Sequence, residues 1–229
     1  MTEISPILLK SPLFADIAES ELAAMLACLG ARTVHFDKGE TVFAEGERAE
    51  AFGIVLRGGV QIVRIDYSGN RSIVSRSDAG EIFGESFACA QVESLPVDVI
   101  ADEASDVMLI DARRVLRTCT NACAFHAQII YNIMRLLAAK NLAFHRKLEV
   151  TSKRTTREKL LAYLMLEAKR QGSLHFIIPY DRQELADYLE VDRSGLSAEI
   201  GKLAKEGVLE ARRSEFVILQ PAAAGDPRW

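Results

Sequence analysis

DRQELADYLEVDRSGLSAEIGKLAKEG, residues Asp181 to Gly207, holds two short helical periods at a tight turn. From Arg182 to Leu189 the apolar residues are Leu185, Ala186 and Leu189. After Asp192 they recur as Leu196, Ile200, Leu203 and Ala204, the spacing of one helix face. Asp192 is the expected N-cap of the second helix. Glu190-Val191-Asp192 has the length of a helix-turn-helix corner, with Val191 expected inside and Ala186 small enough for close crossing. The residues left outward at the start of the second helix are Arg193, Ser194, Ser197 and Ala198, with Lys202 a turn later. Small polar groups beside an arginine at a helix N-terminus are what the major groove of DNA admits. An ordinary helical hairpin in another domain would show the same apolar pattern.

The residues that follow favour the DNA reading. Gly207 ends the helix, Val208-Leu209-Glu210 reads as a strand, Ala211-Arg212-Arg213-Ser214 as a basic turn, and Glu215 to Leu219 as a returning strand. That is a winged helix-turn-helix, with Arg212 and Arg213 on the wing where phosphates lie. A helix over Thr156 to Lys169, bearing Leu160, Leu161, Tyr163, Leu164 and Leu166, is its expected scaffold.

Composition sets outer limits. The 229 residues are 49% hydrophobic, enough for one large core or two modest ones, and no part reads as disordered. No apolar run has the length of a bilayer span, and MTEISPILLK lacks the features of a secretory signal, so no membrane is implied and a cytoplasmic location is expected. The four cysteines, Cys28, Cys89, Cys119 and Cys123, are then expected as thiols or ligands. Net charge is −4, divided as −5 over residues 1–150 and +1 over 151–229, so DNA contact must use a local basic face.

The chain opens with Ser11-Pro12-Leu13-Phe14 and an amphipathic helix from about Glu19 to Leu29, with Leu22, Met25, Leu26 and Leu29 on one side. From Arg32 to Asp111 short alternating runs are broken by turns such as Asp37-Lys38-Gly39-Glu40, Arg57-Gly58-Gly59 and Tyr67-Ser68-Gly69-Asn70, the pattern of an antiparallel barrel or jelly roll. Beyond Asp111 the period becomes helical. From about Asn121 to Thr151, Ile130, Ile133, Leu137, Phe144 and Leu148 recur near a 3–4 spacing, interrupted by Lys140 and Lys147. So narrow a stripe fits a two-helix seam, although its first turns would equally suit a helix lying on the barrel.

A jelly roll, a long helix and a winged helix-turn-helix in that order resemble the Crp/Fnr (catabolite activator and fumarate–nitrate regulator) family of bacterial transcription factors. The supporting text is Phe36-Asp37-Lys38-Gly39-Glu40 with Glu45-Gly46-Glu47, Leu56-Arg57-Gly58-Gly59-Val60, Gly80-Glu81-Ile82-Phe83-Gly84-Glu85, and Arg182-Gln183-Glu184-Leu185-Ala186. The resemblance implies an α+β chain with a cyclic-nucleotide-binding-like, effector-sensing β-roll over residues 1–120, a dimerisation helix over 121–151 and a winged DNA-binding unit over 152–229. It implies a homodimer on a palindromic promoter site in double-stranded DNA, with half-sites ~34–36 Å apart, and contact with RNA polymerase as a further partner. Arg182 and Gln183 match the family's phosphate contacts and Arg193 its leading base reader. Ser194 and Ser197 are placed for base edge and phosphate, but Ala198 stands where many members have a second arginine.

In the cyclic-nucleotide binders of the family, Gly-Glu opens a phosphate-binding segment. The glutamate holds the ribose, and an Arg-Ser pair about ten residues on meets the phosphate. Here Gly84-Glu85 is present, but Leu95 and Pro96 fall at the Arg and Ser positions, and Ala143 and Phe144 at the pair that meets adenine. A phosphate buried there without counter-charge would be costly. Cyclic AMP is therefore not the expected effector, and an apolar-leaning pocket is expected around Phe83, Glu85, Phe87, Leu95, Val97, Val99 and Tyr131, open to a small-molecule effector or filled by its own side chains. The iron–sulfur cluster of the oxygen sensors is set aside, since Cys28 is the one early cysteine. Cys119, Cys123 and His126 would share one side of a helix, as a thiol, zinc or haem sensor or as plain packing.

No hydrolase, zinc-protease or phosphate-loop motif is present, so an enzyme is not expected. The competing reading is a cyclic-nucleotide- or redox/haem-sensing binding module without direct DNA readout, against which the wing and the Arg193 helix stand.

Overall fold

The computed structural model describes residues 5–116 and 124–221. The chain divides into two compact units, one within residues 1–141 and one within 142–229. The first begins with α1 (Pro6–Lys10), a 3-10 turn (Pro12–Phe14) and α2 (Glu19–Cys28). Strands β1 (Arg32–Phe36), β2 (Thr41–Phe43), β3 (Ala51–Arg57), β4 (Gly59–Ile65), β5 (Arg71–Asp78) and β6 (Ile82–Phe83) follow, then α3 (Glu85–Cys89), β7 (Asp98–Ala101), β8 (Ser105–Asp111) and α4 (Ala112–Leu116). The long helix α5 is described from Ala124 to Thr151. After it come α6 (Thr156–Gln171), β9 (His175–Ile177), α7 (Arg182–Leu189), α8 (Arg193–Lys205), β10 (Leu209–Arg212) and β11 (Glu215–Ile218).

The roll is two four-stranded antiparallel sheets, β1-β8-β3-β6 and β2-β7-β4-β5. Strand period two divides the side chains of β3 and β8 between two cores. Phe52, Ile54, Met108 and Ile110 face α2, α4 and α5, joining Leu22, Met25, Val115, Ile129 and Ile133. Their neighbours Val55, Val107 and Leu109 face the second sheet with Val60, Ile62, Phe83, Val97 and Val99. Covered on both faces, β3 reads as a nearly unbroken apolar run. Gly53 has no side chain because Phe83 lies across it: a Cβ there would stand 2.1 Å from the Phe83 ring.

In the second unit α6, α7 and α8 pack around Leu160, Leu164, Leu185, Leu189, Leu196 and Leu203. A three-stranded sheet, β10-β11-β9, closes it. Capping boxes start α6 (Thr155 with Glu158) and α7 (Asp181 with Glu184), and Asp192 caps α8 by accepting from Gly195 N at 2.8 Å. Strand β9, three residues paired to β11, is too short to show a period in the sequence. Val191 is half-buried and Ala204 exposed, so the contact face of α8 is narrower than its spacing implies, while Met165 is buried in α6 where Leu166 is not fully so.

The predicted seam through Ile130, Ile133, Leu137, Phe144 and Leu148 is split. Ile133 is buried in the helix-side core, and Ile130 and Leu137 pack partly against it. The helical phase explains this correction: Ile129, Ile133 and Lys140 turn towards the roll, whereas Tyr131 and Met134, about half a turn round, are exposed at 50% and 56%. Leu142, Phe144 and Leu148 are also exposed. Thus α5 has an apolar face inside and a second one outside.

Asn132, fully buried, fastens α5 to the amino-terminal segment: its Nδ2 donates to Leu13 O (2.9 Å) and Ala15 O (2.8 Å), and its Oδ1 accepts from Gln128. Asn132→Ala strands these carbonyls and should cost roughly 1–3 kcal/mol for each one left dry. Urea denaturation would show a lowered midpoint at unchanged slope.

Candidate DNA-reading head and effector cleft

The head is built by α7, α8 and the wing. Lys159 of α6 donates to Leu189 O (3.1 Å) and Glu190 O (3.2 Å), closing the carboxyl end of α7, where Glu190 turns the chain at φ 54°. Arg157 pairs with Glu206 and, at 3.4 Å, with Glu199, joining α6 to α8. The recognition helix is thereby held by charges on its inner side. Its outer side presents Arg193, Ser197, Ala198 and Lys202, all exposed. Two of the expected contacts are partly engaged already. Ser194 Oγ donates to the Asp192 carboxylate, which with the amide of Gly195 holds that carboxyl below its ordinary range, and Lys202 lies 3.5 Å from Glu199.

Arg182 and Gln183 do not stand free at the start of α7. Gln183 Nε2 donates to Asp187 Oδ1 at 2.8 Å. Arg182 is half-buried beneath the wing, with its Nη2 donating to Arg213 O at 3.3 Å and its guanidinium 5.7 Å from the Phe216 ring centre. Its Nη1 is enclosed without a partner, and burial pulls its pKa down. The positive φ of Arg213 (54°) bends the wing over it, leaving the side chains of Arg212 and Arg213 exposed. Sequence spacing gives no sign of this contact, which spans 31 residues.

Deeper in the same unit Tyr163, Tyr180 and Tyr188 cluster with ring centres 5.0–6.3 Å apart, and Lys147 lies 4.6 Å above Tyr188. Burial pushes the Tyr188 phenol up to about 12 and Tyr163 higher still, so both stay neutral and apolar in behaviour.

In the roll, Gly84 adopts φ 76° and α3 begins at Glu85, whose side chain is 2% exposed. Both carboxylate oxygens lie 3.0 Å from Lys140 Nζ of α5, Lys140 also donates to Ile82 O, and Ser86 Oγ reaches Oε1 at 3.3 Å. Around them Phe83, Val97 and Val99 belong to one packed cluster, with Phe43 and Phe87 against it, and Leu95 is buried nearby. Three expected pocket residues lie elsewhere. Tyr131 points outward with Arg135 above its ring at 5.8 Å, Pro96 is exposed, and Phe144 is a half-exposed residue of the second unit. The helical phase that brings Lys140 to Glu85 turns Tyr131 away. Lys140, which in the sequence merely interrupts an apolar stripe, is the partner of Glu85 that sequence reasoning missed.

Cys119 and Cys123 lie outside the described residues. His126 is 4% exposed, stacked on Phe125 at 5.0 Å, with neither ring nitrogen hydrogen-bonded. Among the described residues no three His, Cys, Asp or Glu side chains are grouped to hold a metal, and no helix is long and apolar enough to cross a membrane.

A two-sheet roll joined to a winged helix-turn-helix defines a DNA-binding regulator with a ligand-type sensor module. The chain matches the cyclic nucleotide-binding domain family over residues 33–122 and the Crp-like helix-turn-helix domain family over residues 158–223. It is 27% identical to the nitrogen fixation regulation protein FixK of Bradyrhizobium diazoefficiens, covering 83% of this chain and 79% of that one. It is 25% identical to the cyclic AMP receptor protein of Thermus thermophilus, covering 87% and 88%. The c-di-GMP-responsive regulator CLP of Xanthomonas campestris shares the fold at a TM-score of 0.73 and 19% identity, over 88% of this chain and 99% of that one. The chain belongs to the Crp/Fnr family of transcriptional regulators.

Arg193→Ala and Arg212→Ala should separate base reading from backbone attraction. The first should relax preference at one base pair per half-site by ~1–3 kcal/mol. The second should weaken all duplexes about equally and lower the salt slope by about one unit. Binding titrations across single-base variants at several salt concentrations distinguish the two.

Proposed function

We propose that the chain acts as a homodimeric, sequence-specific transcriptional regulator on an inverted-repeat promoter site, with the roll (1–120) as regulatory unit, 121–151 as dimerisation helix and 152–229 as reading head. The observation that carries the DNA role is α8: capped by Asp192, braced from α6, and open to solvent along Arg193, Ser197, Ala198 and Lys202 beside the two wing arginines. The work takes place in the bacterial cytoplasm, where a promoter-bound dimer meets RNA polymerase.

The dimer seam belongs on the outward stripe of α5, through Tyr131, Met134, Leu142 and Leu148. These residues leave a long apolar face in water, which a second copy of the helix would cover. The roll is not a cyclic AMP receptor in this reading, despite the name of its Thermus relative. Glu85 already has a cation, and Leu95 and Pro96 offer no charge to a cyclic phosphate.

Selection from random duplexes should enrich a two-fold inverted repeat; enrichment of a single unrepeated site would sink the dimeric part. Calorimetry with cyclic AMP should give no saturable micromolar heat. Met134→Glu should raise the dimer dissociation constant by about 100-fold or more, because the two-fold seam loses two buried methionines at about 1.5–3 kcal/mol each. Sedimentation equilibrium would check it.

A further inference from the structure

We propose that Lys140 is a tethered occupant of the roll: its ammonium fills the place beside Glu85 that a diffusible ligand would otherwise take, and thereby makes the protein competent for DNA without any small molecule. This rests on the reading of the chain as a DNA-binding regulator and names the regulation of that same molecule.

The argument begins with burial. A carboxylate 2% exposed cannot stay charged without partners. Glu85 receives both its oxygens' main partner from a residue 55 positions away, on a different element. The same ammonium donates to Ile82 O, so three acceptors converge on it from one corner, the β6–α3 junction. An alkylammonium has three N–H donors and no acceptor; two of them are taken up here by Ile82 O and Glu85 Oε2, and Glu85 Oε1 lies as close. Surface lysines do not gather such sets, since an exposed pair repays little of the entropy lost in holding the chain. The site is therefore a built ammonium receptor whose guest is covalently attached through α5.

The position of the guest gives it a role beyond cohesion. Lys140 fixes the height and rotation of α5 at the corner of the roll. The helix continues without a break to Thr151, and two turns beyond Lys140 it carries Lys147, which lies above Tyr188 of α7. The residue that satisfies Glu85 thus belongs to the same helix as the residue that meets the helix-turn-helix. Emptying the corner frees α5 at one anchor, and a ligand for this roll must either displace Lys140 or act elsewhere.

The test is chemical rescue. Lys140→Ala shortens the guest and leaves room for a free amine beside Glu85. In anisotropy titrations on the duplex that the unaltered protein selects, Lys140→Ala should lose about tenfold or more in affinity, the range of ordinary allosteric coupling. Millimolar ethylammonium, but neither tetramethylammonium nor sodium at the same ionic strength, should restore most of it. Lys140→Arg should remain near the unaltered protein. A merely structural ion pair would not make DNA affinity follow the concentration of a primary amine. If Lys140→Ala does not fold, Glu85→Gln/Lys140→Met removes both charges and serves instead; it should fold, yet bind DNA about tenfold more weakly. Affinity unchanged in either folded variant, or a loss in Lys140→Ala that ethylammonium does not reverse, overturns the proposal while leaving the regulator reading intact. If the unaltered protein enriches no duplex, the regulator reading falls and takes this proposal with it.

Discussion

Helix α5 has to satisfy two surroundings at once, and the arrangement of the chain depends on it. A 28-residue helix with apolar side chains on a single stripe would have only one place to go. Here one stripe, through Ile129 and Ile133, completes the core that Phe52, Ile54, Met108 and Ile110 begin on the outer face of the β1-β8-β3-β6 sheet. That stripe completes the cover that α2 and α4 give to Phe52, Ile54, Met108 and Ile110. The other stripe, through Tyr131 and Met134, has no cover within the described chain. Asn132 sits between the two and is spent on carbonyls of the amino-terminal segment, which fixes which stripe turns inward.

That rotation also decides the chemistry of the roll. Once Ile133 is inside, Lys140 two turns on must face the same way, and the one acceptor set within its reach is the corner made by Ile82 and Glu85. The Glu85 carboxylate is buried and the Lys140 side chain only partly so, and it is the carboxylate that needs a partner there. Pairing them removes the need for a polar ligand at Glu85. It accords with Leu95 and Pro96, which bring no charge for an anion, and with a roll interior filled by Phe83, Phe87, Val97 and Val99.

Much of the fold was legible in the sequence because it is written in local signals. The cap at Asp192, the strand alternation of the roll and the change of period after Asp111 are each set by neighbours within a few residues. What escaped depends on distance or phase. The Glu85–Lys140 pair spans 55 residues, and the Arg182 contact with the wing spans 31. On α5, Ile130, Ile133 and Leu137 have the spacing of a seam and also that of the core face they join. Spacing alone cannot say which of two apolar stripes meets the roll. Tyr131 lies outside the expected pocket, since a residue two positions from Ile133 lies nearly opposite it.

At the reading head the structure sorts the cations by what they have left to give. Arg157 and Lys159 are committed to Glu199, Glu206 and the carbonyls that end α7, so they brace the head. Arg182, drawn under Phe216 and the Arg213 carbonyl, positions the wing; its lowered pKa reflects lost solvent, the condition of a packing group. That leaves Arg193 on the helix and Arg212 and Arg213 on the wing as the exposed cations with the least internal engagement. In the proposed reading one arginine for bases and two for backbone make a sparse contact set, consistent with a net charge of only +1 over residues 151–229. With Ala198 where a second arginine could stand, discrimination has to come from Arg193, from Ser197 and from the fit of a small apolar surface to the groove, where a thymine methyl is the complementary group. Such a reader depends on its scaffold being rigid, and the braces from α6 to both ends of the helix pair supply that rigidity.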